Sequence, residues 1–170
     1  MFGINSQIGG LLHNDHINTI AALQRLEAYL NQQGLKKVPA KDDAACEKIL
    51  REIIKIAEDE VGRHFGFEEG HLFPELAAAG EVGMTQFLMS EHASILPVAT
   101  ELAAMARAAQ ENGFSEGDWK HFHELGLEMV EREIFHIQKE EMGLLAAIGA
   151  LLDQDADSRL ATIFGTFTGK

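Results

Sequence analysis

Histidines and paired glutamates recur in this sequence in one order, once in each half of the chain. The segment "HFGFEEGHL" begins at His64 and "HIQKEEMGL" begins at His136, so each places two glutamates four and five residues after a histidine. Upstream lies a histidine preceded by an acidic residue, in "NDHINTI" around His16 and "SEHASIL" around His92. The two histidines are 48 residues apart in the first half and 44 in the second. The repetition predicts two helical hairpins that present the same groups at matching positions.

The spacing within each segment suits two ligands of one metal ion. Residues four apart on a helix lie one turn along and about 40° around the axis, so their side chains can reach a single point. His64 with Glu68 and His136 with Glu140 have this spacing. The glutamate that directly follows each pair points about 100° further round, so we expect it to lie behind the ligands or to face solvent.

Four long segments with apolar residues at spacings of three and four are predicted to be helices. Stretches rich in turn residues separate them at 31–43, 73–83 and 111–118. Ser115 is placed as a helix-start cap, and Gly34 and Gly113 are placed as C-terminal caps. Short connections favour antiparallel neighbours, so the prediction is an all-α fold, an up-down-up-down four-helix bundle over residues 1–152. Residues 153–170 are expected to form a tail that docks as a short helix, covers a neighbouring subunit or frays.

The second and fourth helices carry the ligand types within their apolar seams. The seam predicted for the second helix is Leu50, Ile54, Ala57, Val61, His64 and Glu68. The seam predicted for the fourth is Phe122, Gly126, Met129, Glu133, His136, Glu140, Gly143 and Ala147. Both follow the alternating four-three spacing of core positions, so the histidines and glutamates are expected to lie in the core.

Six of these side chains are expected to meet at one depth of the bundle. In each helix the histidine lies about 20 residues, or about 30 Å, from the turn. No lysine or arginine falls on the inner stripe at that level, and burying carboxylates unpaired would cost several kcal/mol each. The predicted metal ligands are His16, His64, Glu68, His92, His136 and Glu140. Four imidazoles and two bridging carboxylates match the donor preferences of two iron ions, with manganese or zinc as alternatives.

Charge and composition exclude several classes of partner. A formal charge of -13 would repel phosphate backbones and anionic lipid surfaces, so neither nucleic acid nor membrane is expected. No stretch reaches the roughly 18 apolar residues of a membrane span. The single cysteine, Cys46, allows no disulfide within the chain, and the N-terminus lacks a secretory signal, so the cytoplasm is the expected location. The oligomeric state is left open.

At these motifs the sequence resembles the hemerythrin-like, or HHE cation-binding, family. The resemblance extends to about residue 152 and rests on "NDH", "HFGFEEGHLFP", "SEH" and "HIQKEE", one on each helix. It implies a non-haem di-iron site in which the four histidines are terminal ligands and Glu68 and Glu140 bridge. Oxygen-carrying members have a histidine where this chain has Leu96. That difference leaves one iron more open, or completed by water, His13 or Glu133.

A di-iron site in an apolar bundle suits small ligands, and two function classes beyond simple binding stay open. The principal hypothesis is binding of oxygen or nitric oxide for sensing, storage or delivery. The first alternative is an enzyme that reduces nitric oxide or peroxide, with an electron donor supplied in trans, or that donates iron for repair of iron centres. The second alternative is a zinc-stabilised helical interaction module. His71, His121 and His123 are expected at the surface or at an interface.

Overall fold

A computed structural model describes residues 6–169, and within them the chain is helical without a strand. Helix α1 spans Gln7–Gln33, and a second helix, α2, covers residues 44–78. Helix α3 spans Val82–Asn112, α4 covers residues 116–151, and α5 spans Gln154–Thr166. The segments of α2 are Ala44–Ile56, Ala57–His64, Phe65–Phe67, Glu68–Leu72 and Phe73–Ala78, and those of α4 are Glu116–Lys139, Glu140–Leu144 and Leu145–Leu151. The all-α prediction is confirmed.

The helix ends follow the predicted capping residues, but the breaks are shorter than the sequence indicated. Gly34 and Gly113 end α1 and α3 with φ of 70° and 76°, a region that favours glycine. Ser115 begins α4, and its hydroxyl accepts a hydrogen bond from the Asp118 amide at 3.1 Å. The break predicted at 73–83 narrows to residues 79–81, because α2 continues beyond Pro74 to Ala78.

The four long helices pack as neighbours around one axis. Helix α1 contacts α4 and α2, and α3 contacts α2 and α4. Because short breaks join consecutive helices that pack along their lengths, neighbours run antiparallel, as the up-down-up-down prediction requires.

Two apolar clusters fill the bundle, one on each side of the level predicted for the metal. The larger cluster lies towards the α1–α2 turn and includes Leu23, Leu30, Ile53 and Trp119. The smaller lies at the opposite end and includes Leu12, Leu72, Leu88, Ile148 and Phe164. Both exclude water, so any polar group between them is buried.

In α2 a π-helical segment changes which residues face the core. Before it, Ile53 and Ile56 are buried, whereas regular spacing predicted Ile54 and Ala57, which are only half-buried. A π-helix forms i→i+5 hydrogen bonds and so accommodates extra residues within a turn. The segment Ala57–His64 therefore restores the predicted seam at its end, where the two site residues of α2 face inwards.

Helix α4 shows the same change on the other side of the site. Its seam is buried as predicted as far as the segment Glu140–Leu144, which is π-helical. From the end of this segment onwards the buried residues are Leu144 and Ile148, not the predicted Gly143 and Ala147. The prediction is wrong there by one residue because it assumed an unbroken α-helix.

Helix α5 packs on α1 and is tied to its N-terminus by a buried carboxylate. Asp157 accepts hydrogen bonds from the Ser6 hydroxyl at 2.5 Å and from the amides of Gln7 and Ile8 at 2.8 and 3.0 Å. These bonds satisfy amides that the start of a helix leaves free. Among residues 6–169 no helix is both long and apolar enough to cross a bilayer.

Of the three histidines predicted to lie at the surface or at an interface, one is misplaced. His123 is buried, and its Nε2 donates a hydrogen bond to the Leu30 carbonyl oxygen at 3.0 Å. His121, by contrast, is exposed and pairs with Glu101 at 2.6 Å.

Candidate metal centre

All six predicted ligands converge between the two apolar clusters. Helix α1 supplies one, α3 supplies one, and α2 and α4 supply two each. Each side chain is at most 2% exposed: His16, His64, Glu68, His92, His136 and Glu140. They form two groups of four whose potential ligand atoms lie within 4.8 Å of one another, namely His16, His64, Glu68 and Glu140, and Glu68, His92, His136 and Glu140.

The carboxylate of Glu68 belongs to both groups. Its Oε1 lies 3.3 Å from Nε2 of His64, and its Oε2 lies 3.3 Å from Nε2 of His92. One oxygen therefore faces each group, which is the arrangement of a carboxylate that bridges two cations.

Glu140 has the same arrangement from the opposite helix. Its Oε2 lies 3.1 Å from Nε2 of His16, and its Oε1 lies 3.0 Å from Nε2 of His136. Oε1 is also 3.8 Å from Nε2 of His92. The two glutamates thus span the two histidine pairs symmetrically.

The outer nitrogens of the histidines on α3 and α4 face carboxylates of neighbouring helices. His92 Nδ1 lies 2.9 Å from Glu69 Oε1, and His136 Nδ1 lies 3.1 Å from Glu91 Oε2. A carboxylate accepts hydrogen bonds, so each Nδ1 carries a proton, and loss of the other ring proton leaves an Nε2 lone pair directed to the interior. These two Nε2 atoms are only 3.1 Å apart. Converging lone pairs beside carboxylate oxygens attract a cation.

The histidines on α1 and α2 have equivalent partners. His16 Nδ1 lies 2.6 Å from Glu141 Oε1, and His64 Nδ1 lies 3.5 Å from Asp15 Oδ2. Glu141 also contacts Nδ1 of the half-exposed His13 at 2.8 Å. His13 therefore lies at the rim, one carboxylate away from the converging groups.

We call Asp15, Glu69, Glu91 and Glu141 the outer carboxylates. Carboxylates behind metal-binding histidines orient the rings and increase their basicity. The sequence signal for them was present in the acidic residue before each first histidine and in the second glutamate of each pair. What the sequence did not reveal was which histidine each one serves.

Charge among the converging groups perturbs their titration. Burial lowers the pKa of His92, but the carboxylates of Glu140 and Glu68 outweigh it and raise that pKa to about 10. Burial lowers and Glu140 raises the pKa of His16 and of His136, with a net increase in both. Burial raises the pKa of Glu140, but the surrounding imidazoles hold it well below its usual value. The site is therefore built to attract positive charge.

The donor atoms satisfy one another poorly by hydrogen bonding alone. Within the described part of the chain, Nε2 of His16, both carboxylate oxygens of Glu68 and Oε1 of Glu140 are buried, and their contacts with the facing atoms of the site at 3.0–3.3 Å lack good hydrogen-bond geometry. Burying such atoms without a partner costs free energy, and coordination to a metal would remove that cost. Imidazole and carboxylate donors suit iron, manganese and zinc. The residues present therefore fit a metal centre.

Glu68 and Glu140 each begin a π-helical turn. The carbonyl of Glu68 accepts from the Phe73 amide, and that of Glu140 accepts from the Leu145 amide, both five residues on. π-Helical turns inside helices occur frequently at functional sites. Their duplication extends the repeat from side-chain types to backbone geometry.

Aromatic and aliphatic side chains form the wall around the α3 histidine. The ring of Phe65 stacks on His92 with centroids 3.7 Å apart and planes 7° apart. The Phe73 ring also packs against His92, with ring centroids 5.6 Å apart. Leu88 and Ile95, which lie about one turn before and one turn after His92 on α3, are buried, and Ile20 is half-buried.

Glu133 and Leu96, two positions considered for completing the ligand set, differ in burial. Glu133 is 1% exposed and helps to raise the pKa of His136, so its negative charge acts on the centre. Leu96 is 49% exposed. The position at which the resemblance calls for a further histidine thus faces away from the converging groups.

Comparison with known proteins agrees with this geometry. The sequence matches the family described as the hemerythrin HHE cation binding domain over residues 8–148. No curated protein matches the chain. The matched region contains all six converging residues, and α5 lies beyond it. The match and the buried histidines and glutamates both indicate a helical, metal-binding protein. The chain belongs to the hemerythrin HHE cation-binding domain family.

Proposed function

We propose that this chain is a cytoplasmic non-haem di-iron protein that binds oxygen or nitric oxide for sensing, storage or delivery. The observation that carries the proposal is that Glu68 and Glu140 each direct one carboxylate oxygen towards each histidine pair. His16 and His64 would hold one ion and His92 and His136 the other. Glu68 and Glu140 would be shared by both.

The donor set supports iron and an open position for a small ligand. Each cation would receive two imidazoles and two carboxylate oxygens, fewer donors than iron commonly accepts. Bound ferrous iron supplies electron density to oxygen or nitric oxide. Phe65, Leu88 and Ile95 are buried apolar side chains, and apolar surroundings limit water and favour a small, weakly polar ligand.

Two observations favour other functions strongly enough to test. The buried carboxylate of Glu133 beside His136 could hold a proton near a reacting ligand, which favours reduction of nitric oxide or peroxide with an electron donor in trans. Release of iron to damaged iron centres would use the same ions. Four donors per position also suit tetrahedral zinc, which favours a metal-stabilised interaction module.

Elemental analysis of protein purified from iron-replete cells tests the proposal first. The expected content is two iron ions per chain, matching the two groups of donors. Glu140→Gln should lower it, whereas Glu131→Gln, at an exposed position of the same helix, should not. Zinc without iron would contradict the di-iron proposal and favour the interaction module.

Exposure of the reduced protein to nitric oxide and to oxygen then separates binder from enzyme. A binder should give a stoichiometric absorption change that reverses when the gas is removed. Continuous consumption of nitric oxide or peroxide in the presence of a reductant would favour the enzyme. Transfer of iron to a metal-depleted acceptor protein would favour the repair function.

A further inference from the structure

Helix α5 contacts the His16/His64 pair through His64. Its Phe164 is 5% exposed, and its ring lies perpendicular to that of His64 with centroids 6.0 Å apart. The guanidinium carbon of Arg63 lies 4.6 Å from the centre of the same Phe164 ring, a cation–π contact. Phe164 thus holds both the histidine and the arginine that precedes it.

Arg63 connects Phe164 to the outer nitrogen of His64 through Asp15. Its guanidinium pairs with Asp15, and the same oxygen of Asp15 lies 3.5 Å from Nδ1 of His64. Phe164, Arg63, Asp15 and His64 therefore form one continuous chain of contacts from α5 to the centre.

The residues that follow α5 pack against the backbone of Gly62 and Arg63. Gly169 has φ of 77°, and a Cβ there would lie 2.9 Å from the Gly62 carbonyl oxygen and 3.2 Å from Cα of Arg63. Only glycine fits so close to that backbone, so the residues after α5 press against the turn that carries Arg63.

The other half of the molecule has a similar set of contacts, with a lysine in place of the arginine, and it is more exposed. Lys139 pairs with Glu91, which contacts His136 Nδ1 at 3.1 Å, and the Lys139 ammonium lies over the Phe87 ring at 5.2 Å. Phe87 is 50% exposed and the Lys139 side chain 45%, against 25% for Arg63. Exposed contacts of this kind contribute little to holding a geometry.

We infer that Phe164 and Arg63 are positioning residues that strengthen cation binding selectively at the His16/His64 position. They hold Asp15 behind His64, and a partner behind a ligating histidine orients the ring and makes it a better donor. The inference rests on the proposed two-cation centre. It makes the two positions unequal, although the ligands that form them are repeated.

The test is a cobalt(II) titration of metal-depleted full-length protein, followed by the visible absorption of the bound ion. Cobalt accepts the same imidazole and carboxylate donors. Arg63→Gln and Phe164→Leu should each weaken the binding of one cobalt ion about tenfold and leave the other unchanged. Arg63→Lys, which keeps the charge beside Asp15, should restore most of the affinity.

Matched variants distinguish positioning from general destabilisation. Lys139→Gln and Phe87→Leu, the counterparts in the other half, should change both cobalt affinities by less than about threefold. In a His64→Gln background, Arg63→Gln should have no further effect on the remaining cobalt ion. Thermal unfolding of each metal-depleted variant checks that it is folded.

The outcomes separate this inference from the proposed function. If the parent binds two cobalt ions and Arg63→Gln weakens both equally or neither, the positioning role is wrong. The same follows if Lys139→Gln has an effect as large as that of Arg63→Gln. A parent that binds fewer than two cobalt ions would overturn the two-cation centre and the inference with it.

Discussion

The shared carboxylates lead to an unequal effect of two substitutions on metal content. Glu68 directs one oxygen to His64 and the other to His92, each at 3.3 Å, so Glu68→Gln weakens a ligand in both groups. His64 belongs to one group, so His64→Gln removes a ligand from that group alone. We expect Glu68→Gln to lose both cations and His64→Gln to lose one.

The magnitude follows from linkage between metal binding and folding. A cation present at 100 times its dissociation constant stabilises the folded state by about 2.7 kcal/mol, so two positions together contribute about 5 kcal/mol. For a domain of this size, each kcal/mol shifts the melting temperature by about 2–4 °C. Glu68→Gln should therefore lower the melting temperature of the metal-loaded protein by about 10–20 °C, and His64→Gln by about half as much.

The assay combines metal content after gel filtration with thermal unfolding in the presence and absence of a chelator. Most of the difference between parent and Glu68→Gln should disappear once a chelator has removed the metal from both. Glu131→Gln, which removes an exposed carboxylate from α4, should keep the metal content and melting temperature of the parent.

One result would refute the bridging role of Glu68, and another would refute the separate occupancy of the two positions. One is a Glu68→Gln protein that retains both cations at the melting temperature of the parent. The other is a His64→Gln protein that loses both cations as readily as Glu68→Gln, since that would show that the two positions cannot be occupied separately.

Three further substitutions test the fold around the centre. Asp157→Asn should lower the free energy of unfolding by about 1 kcal/mol at pH 7, because the carboxylate caps α1. Burial raises the pKa of Asp157, but its hydrogen bonds lower it more. The stabilisation is therefore present above the unfolded pKa and is lost as the pH falls through the lower folded pKa. Urea denaturation of both proteins from pH 7 down to pH 2 should show their free energies of unfolding converging. Gly126→Ala should cost about 1 kcal/mol in urea unfolding, because a Cβ would lie 2.7 Å from Leu30 Cδ1 and the crowding outweighs the gain in helix propensity. Leu96→His should leave metal content and melting temperature unchanged, because this half-exposed position faces away from the centre, and a gain in metal affinity would contradict that placement.

The ligands themselves could be predicted because they depend on geometry within one helix. His64 with Glu68, and His136 with Glu140, are four residues apart, and this spacing alone places both side chains of a pair on one face. The apolar seam then places that face in the core. Burial of these residues follows the prediction, and coordination of metal by them stays a prediction.

The interruptions of the seams could not be predicted in the same way. At Gly143 and Ala147 the four-three spacing pointed one residue away from the buried positions, Leu144 and Ile148. Nothing in the apolar pattern marks where an i→i+5 hydrogen bond replaces i→i+4, because that choice depends on how neighbouring helices pack. The same limit applies to the break predicted at 73–83, where Pro74 lies at the start of the segment Phe73–Ala78 and the helix continues past it.

The outer carboxylates show why the repeat contains acidic residues beside its histidines. The carboxylate next to a histidine in sequence does not serve that histidine: Asp15 contacts His64, not His16, and Glu91 contacts His136, not His92. Each helix instead supplies the carboxylate for the next, and the four contacts are Asp15 with His64, Glu69 with His92, Glu91 with His136 and Glu141 with His16. They form a closed circuit from α1 through α2, α3 and α4 back to α1. A cation bound to any of the inner nitrogens therefore acts on a ring whose back is held by a different helix, so metal binding would stabilise the contacts between helices as well as the charges within the centre.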